Sequence, residues 1–222
     1  EDHFDIMAMV INDDKHLYRT PGLVAEHPRD QEGRWFPAIT ADRQGNVFVA
    51  WSAFRQGRFE LEVMKLFDNM KRGLPQVVVS SAHDALRPSL VCDKGNNLWL
   101  AYEESAPVKQ YGDAQLRPGT ISVRCLAEDG KLSEWPLELP AGKKDRCTQS
   151  RLFLSSEGVP CVVFQSGTEL YRSTWKESAF TVPKLLSSWQ PGMMNHPTAM
   201  YQEGCMLGVH EMVDHRQRIR LQ

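Results

Sequence analysis

The amino-acid sequence contains one short phrase four times, and this repetition constrains the fold more than any single residue does. Each copy consists of an apolar run, a polar turn and a second apolar run that ends on an aromatic ring or a histidine. The copies are residues 37–51 (PAITADRQGNVFVAW), 88–102 (PSLVCDKGNNLWLAY), 150–164 (SRLFLSSEGVPCVVF) and 197–210 (PTAMYQEGCMLGVH). Self-similarity of this kind predicts a fold built from equivalent units in series.

The turn residues of the four copies set the repeat length. They are Gly45, Asn96, Gly158 and Gly204, and the intervals between them are 51, 62 and 46 residues. Periods of roughly 40–50 residues with several short strands in each unit are typical of β-propeller blades. Further apolar runs, suited to third and fourth strands, follow the copies at 59–67, 75–81, 120–126, 134–140, 169–175 and 182–188.

The sequence therefore predicts an all-β fold, a β-propeller of four-stranded antiparallel blades with three complete blades and two partial ones. The first partial blade is expected to supply strands within 4–10 and 17–25, and the second begins with the fourth copy. We expect one domain over residues 1–222, because no linker rich in Gly, Ser or Pro divides the chain. The partial blades either share one sheet and close a ring of four, or belong to a larger ring or longer protein. The second arrangement is favoured.

The composition is that of a globular protein without a strong charge. Hydrophobic residues make up 41%, charged residues 24%, and the formal net charge is −2. A disordered chain is therefore excluded, and no overall field recruits nucleic acid or an anionic membrane. No apolar run reaches the roughly 18–20 residues of a membrane span. Neither a nucleic acid nor a membrane is therefore expected as a partner. With no initiator Met and no visible signal peptide, a processed protein or an excerpt is expected, and a periplasmic or extracellular location is favoured over the cytoplasm.

Cysteine and histidine patterns give no sign of a metal or another cofactor. The cysteines are odd in number and widely spaced, without a CxxC pair, which predicts buried free thiols rather than a zinc knuckle or a disulfide framework. His210-Glu211 resembles the start of an HExxH zinc helix, but position i+4 is Asp214 and the repeat makes 206–211 a strand. One alternative donor set is left open, namely His196, His210, Asp214 and His215.

Propeller geometry selects the candidate ligand-binding residues. The first strand of a blade, strand a, lines the central channel. The connections that precede strand a and follow strand b share one face, and function usually collects on such loops. The aromatic position that ends strand b is typical of packing between blades, whereas the polar position after it varies from copy to copy, which favours a role at the rim. The candidate contacts on these strands are Arg55, Arg87, Tyr102, Glu103, Glu104, Arg151, Gln165, His196, His210 and Glu211.

An insertion after Glu103 makes one connection on this face longer than the others. It covers residues 104–118 and contains Tyr111, Asp113 and Arg117, which could reach the channel mouth. A long loop in a compact domain is usually either functional or disordered, and both interpretations stay open here.

The phrases FPAITADRQGNVFVAWSAFRQGRFELEV and RPSLVCDKGNNLWLAYEE resemble blades of bacterial β-propeller repeat proteins of the sialidase-like and WD40-like type. The resemblance covers nearly the whole chain. In some such proteins a metal-dependent phosphoesterase-like domain follows the propeller, which implies a linked or partner catalytic domain. The sialidase comparison implies an arginine cluster for a carboxylate, a Tyr-Glu nucleophile pair and an Asp acid. Residues of these types are Arg87, Arg151, Tyr102, Glu103 and Asp113. The Arg-Ile-Pro and Ser-x-Asp-x-Gly-x-x-Trp motifs of sialidases are missing.

The sequence therefore supports one leading hypothesis about function and two alternatives. The leading hypothesis is a ligand-binding or interaction module that holds a small molecule, a glycan or a peptide at the face of the b-to-c and d-to-a connections. The first alternative is a sialidase-like glycoside hydrolase or a polysaccharide lyase. The second is a structural propeller that supports a catalytic domain outside this chain.

Overall fold

The computed structural model describes twelve segments of the chain, all of them in strands or in the turns that join them. The described residues are 6–8, 22–25, 33–67, 71–72, 76–79, 83–105, 119–127, 132–137, 147–188, 196–201, 205–213 and 216–221. Within these segments the regular secondary structure consists of nineteen β-strands. These segments contain no helix long and apolar enough to cross a membrane.

The strands form five separate antiparallel sheets in chain order. The first sheet pairs β1 (Ile6–Ala8) with β2 (Gly22–Ala25). The second contains β3 (Gly33–Ala41), β4 (Val47–Arg55), β5 (Arg58–Phe67) and β7 (Gln76–Val79), with the short β6 (Lys71–Arg72) also on β5. The third contains β8 (Asp84–Cys92), β9 (Leu98–Ser105), β10 (Gly119–Leu126) and β11 (Leu132–Leu137). The fourth contains β12 (Cys147–Leu154), β13 (Pro160–Ser166), β14 (Glu169–Lys176) and β16 (Lys184–Ser188), with the short β15 (Ala179–Phe180) on β14. The fifth contains β17 (His196–Tyr201), β18 (Cys205–Val213) and β19 (Arg216–Leu221).

This architecture confirms the predicted β-propeller of three complete blades and two partial ones. We call the second, third and fourth sheets blades I, II and III. Their first strands, β3, β8 and β12, lie next to one another in succession, and β17 continues the series after β12. Among the described strands the two partial units form separate sheets. Whether the chain closes a ring of four or belongs to a larger ring stays a prediction.

The hydrophobic core lies between the blades, because each sheet removes its apolar face from water only against the next sheet. Leu61 and Val79 of blade I pack in one cluster with Leu90 and Leu100 of blade II. A second cluster joins blades II and III and contains Ile121 and Phe164. The repeated aromatic residues Trp51, Tyr102 and Phe164 are fully buried, as expected for packing between blades.

The turns between strands a and b close as the sequence predicts. Asp42 Oδ1 accepts hydrogen bonds from the backbone N–H groups of Gln44 (2.9 Å) and Asn46 (2.8 Å). In blade II the same position is Asp93, which accepts from the N–H groups of Gly95 (2.8 Å) and Asn97 (3.0 Å). In these two turns the left-handed backbone conformation falls on Gly45 (φ 83°) and Asn96 (φ 58°). Both segments are therefore tight hairpin turns that an Asp side chain closes.

Polar contacts also join neighbouring blades. Arg124 of blade II donates from Nη1 to the carbonyl oxygen of Val78 in blade I at 2.6 Å. The other amino group of Arg124 donates to Glu134 at 2.8 Å, and Glu134 also accepts from the Tyr102 hydroxyl at 2.7 Å. Tyr102 is therefore held inside this junction, away from the channel.

The burial of two leucines predicts very different losses of stability when each is replaced by alanine. Leu61 is fully buried between blades I and II, whereas Leu185 is 52% exposed on β16. Leu61→Ala should lower the free energy of unfolding by about 2–5 kcal/mol, since a buried leucine leaves a cavity. Leu185→Ala should change it by no more than about 0.5 kcal/mol. Urea denaturation with an unchanged m-value measures both effects, and equal effects would contradict the proposed core.

Candidate functional site

The first strands of the three complete blades share a local distortion at the same repeat position. The residue before strand a's proline or its equivalent has a left-handed backbone: Phe36 (φ 55°), Arg87 (φ 50°) and Gln149 (φ 54°). At each of these points the register of strands a and b shifts, which is the signature of a β-bulge. Bulges re-aim side chains and occur often beside active sites, and such backbone strain in residues other than glycine marks candidate functional positions.

Glu103 holds two of these bulged residues in place. Its side chain is only 2% exposed, and Oε2 accepts a hydrogen bond from Arg87 Nη1 at 2.7 Å. Oε1 accepts a hydrogen bond from the backbone N–H of Gln149 at 2.7 Å. Since Gln149 belongs to blade III, the Glu103 carboxylate connects blade II to blade III. A carboxylate buried in this way is stable only because both of its oxygens have charged or polar donors.

A cavity of about 450 Å³ lies where the first strands of the three blades meet. Its lining includes the apolar residues Phe36, Pro37 and Ile39 and two charged residues, Arg87 and Arg151. The volume falls within the range of roughly 300–1,000 Å³ typical of small-molecule sites. We call this space the channel-mouth cavity. The Glu103 carboxylate does not line it, and acts on it through Arg87 and Gln149.

Two arginines give the channel-mouth cavity its charge. The Arg87 guanidinium stacks over the Phe36 ring, with its carbon 4.8 Å from the ring centroid. Arg151 is exposed towards the cavity, and Nη1 donates to the Ser150 carbonyl oxygen at 3.0 Å. Partial removal from water lowers the pKa of Arg151, Glu103 acts in the opposite direction, and the positive charge of Arg87 lowers it further. The cavity therefore combines apolar side chains with two cations.

The other predicted contacts in blades I to III bind within their own blades. Arg55 lies 2.6 Å from Glu62, a fully buried carboxylate that also accepts from Trp51 Nε1 at 2.6 Å. Glu104 accepts from the Ser122 hydroxyl at 2.9 Å and lies 3.2 Å from His83 Nδ1. Gln165 Nε2 donates to the Gly167 carbonyl oxygen at 2.9 Å. The structure therefore brings Arg87, Glu103 and Arg151 together, and places Arg55, Glu104 and Gln165 in separate networks.

The remaining predicted residues belong to the insertion and to the last sheet. Tyr111 and Asp113, with the rest of the insertion from 106 to 118, lie outside the described residues. His196 and His210 are opposite each other on β17 and β18, and Glu211 is opposite Arg218 on β19. The strand assignment of β18 excludes a zinc helix at His210. Among the described residues no cluster of His, Cys, Asp and Glu could hold a metal ion.

The apolar residues of the channel-mouth cavity were not among the candidate contacts, because those were chosen from polar and charged positions. Phe36 occupies the repeat position of Arg87, and Ile39 follows in the same strand with 62% of its side chain exposed. The signal for Phe36 in the sequence is that it immediately precedes the repeated phrase, as Arg87 and Gln149 do.

Comparisons with known proteins give the fold alone. No protein-family model matches the chain, and no curated protein matches it significantly. Among solved structures it is similar to an endo-arabinase from Bacteroides thetaiotaomicron, with a TM-score of 0.57, 13% identity and coverage of 90% of this chain and 79% of that one. It is also similar to an α-L-arabinanase from Penicillium chrysogenum complexed with arabinobiose, with a TM-score of 0.63, 12% identity and coverage of 98% and 66%. A third similar structure is a family 117 glycoside hydrolase from Zobellia galactanivorans, with a TM-score of 0.57, 10% identity and coverage of 98% and 70%.

The likeness supports the β-propeller fold that the sheets of the present chain already show. Sequence identities of 10–13% carry no information about activity. The chain spans 66% of the Penicillium protein's length.

The Glu103 contacts predict a specific loss of stability. Glu103→Ala leaves the Gln149 N–H and the Arg87 guanidinium without their acceptor. It should lower the free energy of unfolding by about 3 kcal/mol, at the low end for a broken buried ion pair because Arg87 is partly exposed. Glu103→Gln should fall between this variant and the wild type. Glu157→Ala, at an exposed turn residue, is the control and should change stability by no more than about 0.5 kcal/mol. Denaturant unfolding that ranks Glu157→Ala with Glu103→Ala would contradict the bridging role.

Four cysteines of blades I to III should be unreactive in the folded protein, namely Cys92, Cys125, Cys147 and Cys161. Burial, with the charges of Asp42 and Asp93, raises the pKa of Cys92 to about 11, and burial with Asp93 raises that of Cys125 to about 12. These thiols stay protonated at pH 8, and the thiolate is the reactive form. In a Cys205→Ser variant, a colorimetric thiol reagent at pH 8 should detect the four thiols of Cys92, Cys125, Cys147 and Cys161 only after unfolding in urea. Rapid reaction of the native variant would contradict this burial.

Proposed function

We propose that this chain is a β-propeller binding module that takes a glycan in the channel-mouth cavity. The observation that carries the proposal is the cavity itself, about 450 Å³ of space bounded by the first strands of three consecutive blades. Its apolar side chains suit the C–H face of a sugar ring, and its two arginines offer hydrogen-bond donors to hydroxyl groups. Small-molecule sites commonly combine a largely apolar lining with a few fixed polar groups in this way.

The fold comparison supports a carbohydrate ligand. The Penicillium structure is described as a complex with arabinobiose, and several other similar structures are described as glycoside hydrolases or arabinanases. A periplasmic or extracellular location stays a prediction, and so does a catalytic domain linked to the chain or bound by it.

Binding without hydrolysis is favoured by the state of the carboxylates. Hydrolysis of a glycosidic bond generally uses two carboxyl groups on either side of the bond. The Glu103 carboxylate is paired with Arg87, which lines the channel-mouth cavity, and both of its oxygens accept hydrogen bonds from the protein. The rival function is a glycoside hydrolase or lyase, and the described fold is compatible with it because the similar structures are glycoside hydrolases.

A matched pair of tryptophan variants tests the site. Ile39 lies in the channel-mouth cavity and Val182 lies outside it, and both side chains are largely exposed, at 62% and 70%. Ile39→Trp should fill the cavity and weaken binding of a glycan by at least about tenfold, equivalent to roughly 1.4 kcal/mol. Val182→Trp should leave the affinity within about twofold of the wild type.

The measurement begins with a glycan array and continues with calorimetric titration of the best glycan on the wild type and both variants. Equal affinities for Ile39→Trp and the wild type would place the ligand elsewhere. Binding of peptides from a peptide panel, with no binding of glycans, would mean that the ligand is a peptide. Release of shorter sugars from a bound glycan, detected by mass spectrometry and lost in Glu103→Gln, would favour the hydrolase.

A further inference from the structure

An aromatic surface continues from the channel-mouth cavity across the end of blade I. Phe36 lines the cavity, and Trp35 precedes it in β3. Phe54 lies near the end of β4 opposite Gly33, so strand pairing places it at the same end of the blade. All three rings are partly exposed, and they pack over the buried ring of Phe59. We call Trp35, Phe36 and Phe54 the aromatic extension of the cavity.

Contacts between rings hold the aromatic extension in place. The ring centroid of Trp35 lies 5.4 Å from that of Phe59, and the centroid of Phe54 lies 4.9 Å from the same ring. The Trp35 indole also lies directly over Gly33, where a larger residue would collide with it. Aromatic side chains have few rotatable bonds, and such packing removes most of the freedom that is left. The rings therefore lose little conformational entropy when a ligand binds, which increases affinity.

The propeller framework does not require aromatic side chains at these positions. The registers of strands a and b identify the equivalent positions in the other two complete blades, and none of them holds an aromatic residue. These equivalents are Leu86 and Thr148 for Trp35, and Ser105 and Gly167 for Phe54. Blades II and III form their strand pairs without the two rings. Within blades I to III the aromatic extension belongs to blade I alone, which favours a role in binding over a role in folding.

The orientation of the rings favours a single sugar chain over a flat surface. The rings of Trp35 and Phe54 meet at 79°, with 6.4 Å between their centroids. A crystalline polysaccharide presents flat faces, which need coplanar rings to lie against. In a soluble oligosaccharide the neighbouring sugar rings turn relative to each other, so their C–H faces can meet two aromatic rings that lie nearly at a right angle.

We propose that the ligand is a soluble oligosaccharide chain, at least a disaccharide, that spans the channel-mouth cavity and the aromatic extension. One sugar unit lies in the cavity, and the next lies against Trp35 and Phe54. This inference rests on the proposed function, since it extends the same site and names the form of the glycan.

A ladder of chain lengths tests the aromatic extension. The probes are the mono- to tetrasaccharides of the arabinan, xylan and cellulose series, with crystalline cellulose as the flat alternative. Affinities for the soluble probes are measured by ligand-observed NMR titration, and binding to crystalline cellulose is measured by sedimentation.

Two variants each remove one ring, and a third is their control. Trp35→Leu and Phe54→Ser introduce the residue types that blade II has at the equivalent positions, where the same framework accommodates them. Phe48→Ser is the control, because Phe48 is partly buried in the same strand β4 but near its other end. Circular dichroism and urea unfolding establish that each variant is folded before its affinity is measured.

In at least one series the wild type should bind the trisaccharide about tenfold or more tighter than the monosaccharide, because the added units bury apolar surface against the rings. Trp35→Leu and Phe54→Ser should each reduce this gain to about threefold or less, while the monosaccharide binds within about twofold of the wild type. Phe48→Ser should keep the full gain. Crystalline cellulose should not retain the protein.

Three outcomes would overturn the inference, and they differ from a failure of the proposed function. Equal affinity for the mono- and trisaccharide would confine the ligand to the channel-mouth cavity. The full gain in both ring variants, or its equal loss in Phe48→Ser, would mean that the rings serve packing alone. Retention on crystalline cellulose would replace the single chain by a flat surface. If no soluble probe binds, or if Ile39→Trp binds the probes as tightly as the wild type, the proposed function itself fails.

Discussion

The negative charge of Glu103 lies where almost no water reaches it, and the channel mouth is organised by the partners that this charge needs. A carboxylate with 2% of its side chain exposed requires donors for both oxygens. One donor is Arg87 in the same blade, and the other is the Gln149 backbone in the next blade. One group therefore fixes the direction of a guanidinium and the position of the neighbouring strand. The channel-mouth cavity depends on both.

Buried acids recur elsewhere in the fold. The carboxylate of Glu62 accepts from Trp51 and pairs with Arg55 inside blade I. Asp84 of blade II accepts from the backbone N–H of Phe59 in blade I at 2.8 Å. In the described blades these acids serve the framework, so the groups that face the channel mouth are arginines and apolar side chains. Because the described acids are engaged in the framework and the cavity is lined by arginines and apolar side chains, the site is better suited to binding than to acid–base chemistry.

The fold was predictable because its signals are local. Turn residues such as Asp42 and Asp93 repeat at blade length, and their hydrogen bonds close the same hairpins in the structure. The face that carries the site also follows from strand order alone. Arg87, Glu103 and Arg151 come together because each lies at the same end of its blade.

The details of the site depend on distant parts of the chain and were not predictable. Glu103 and Arg151 look alike as polar residues at strand ends, but one is buried beneath the next blade and the other is exposed. Arg55 is a candidate by position, and only the paired strand shows that Glu62 binds it. The left-handed backbone of Phe36 could not be predicted, because the position holds neither of the residues, glycine and asparagine, that usually indicate this conformation.

At the bulge in each first strand, the choice of side chain is independent of the hydrogen bonds that pair strands a and b. Phe36, Arg87 and Gln149 differ in size, charge and polarity, yet they share one backbone conformation with φ between 50° and 55°. Each lies at the register shift, outside the regular pairing of strands a and b. Two of these residues, Phe36 and Arg87, line the channel-mouth cavity although they lie outside the regular pairing. The side chain at this position is therefore not required for the hydrogen bonds between strands a and b, and the same backbone accommodates an aromatic, a cationic and an amide side chain.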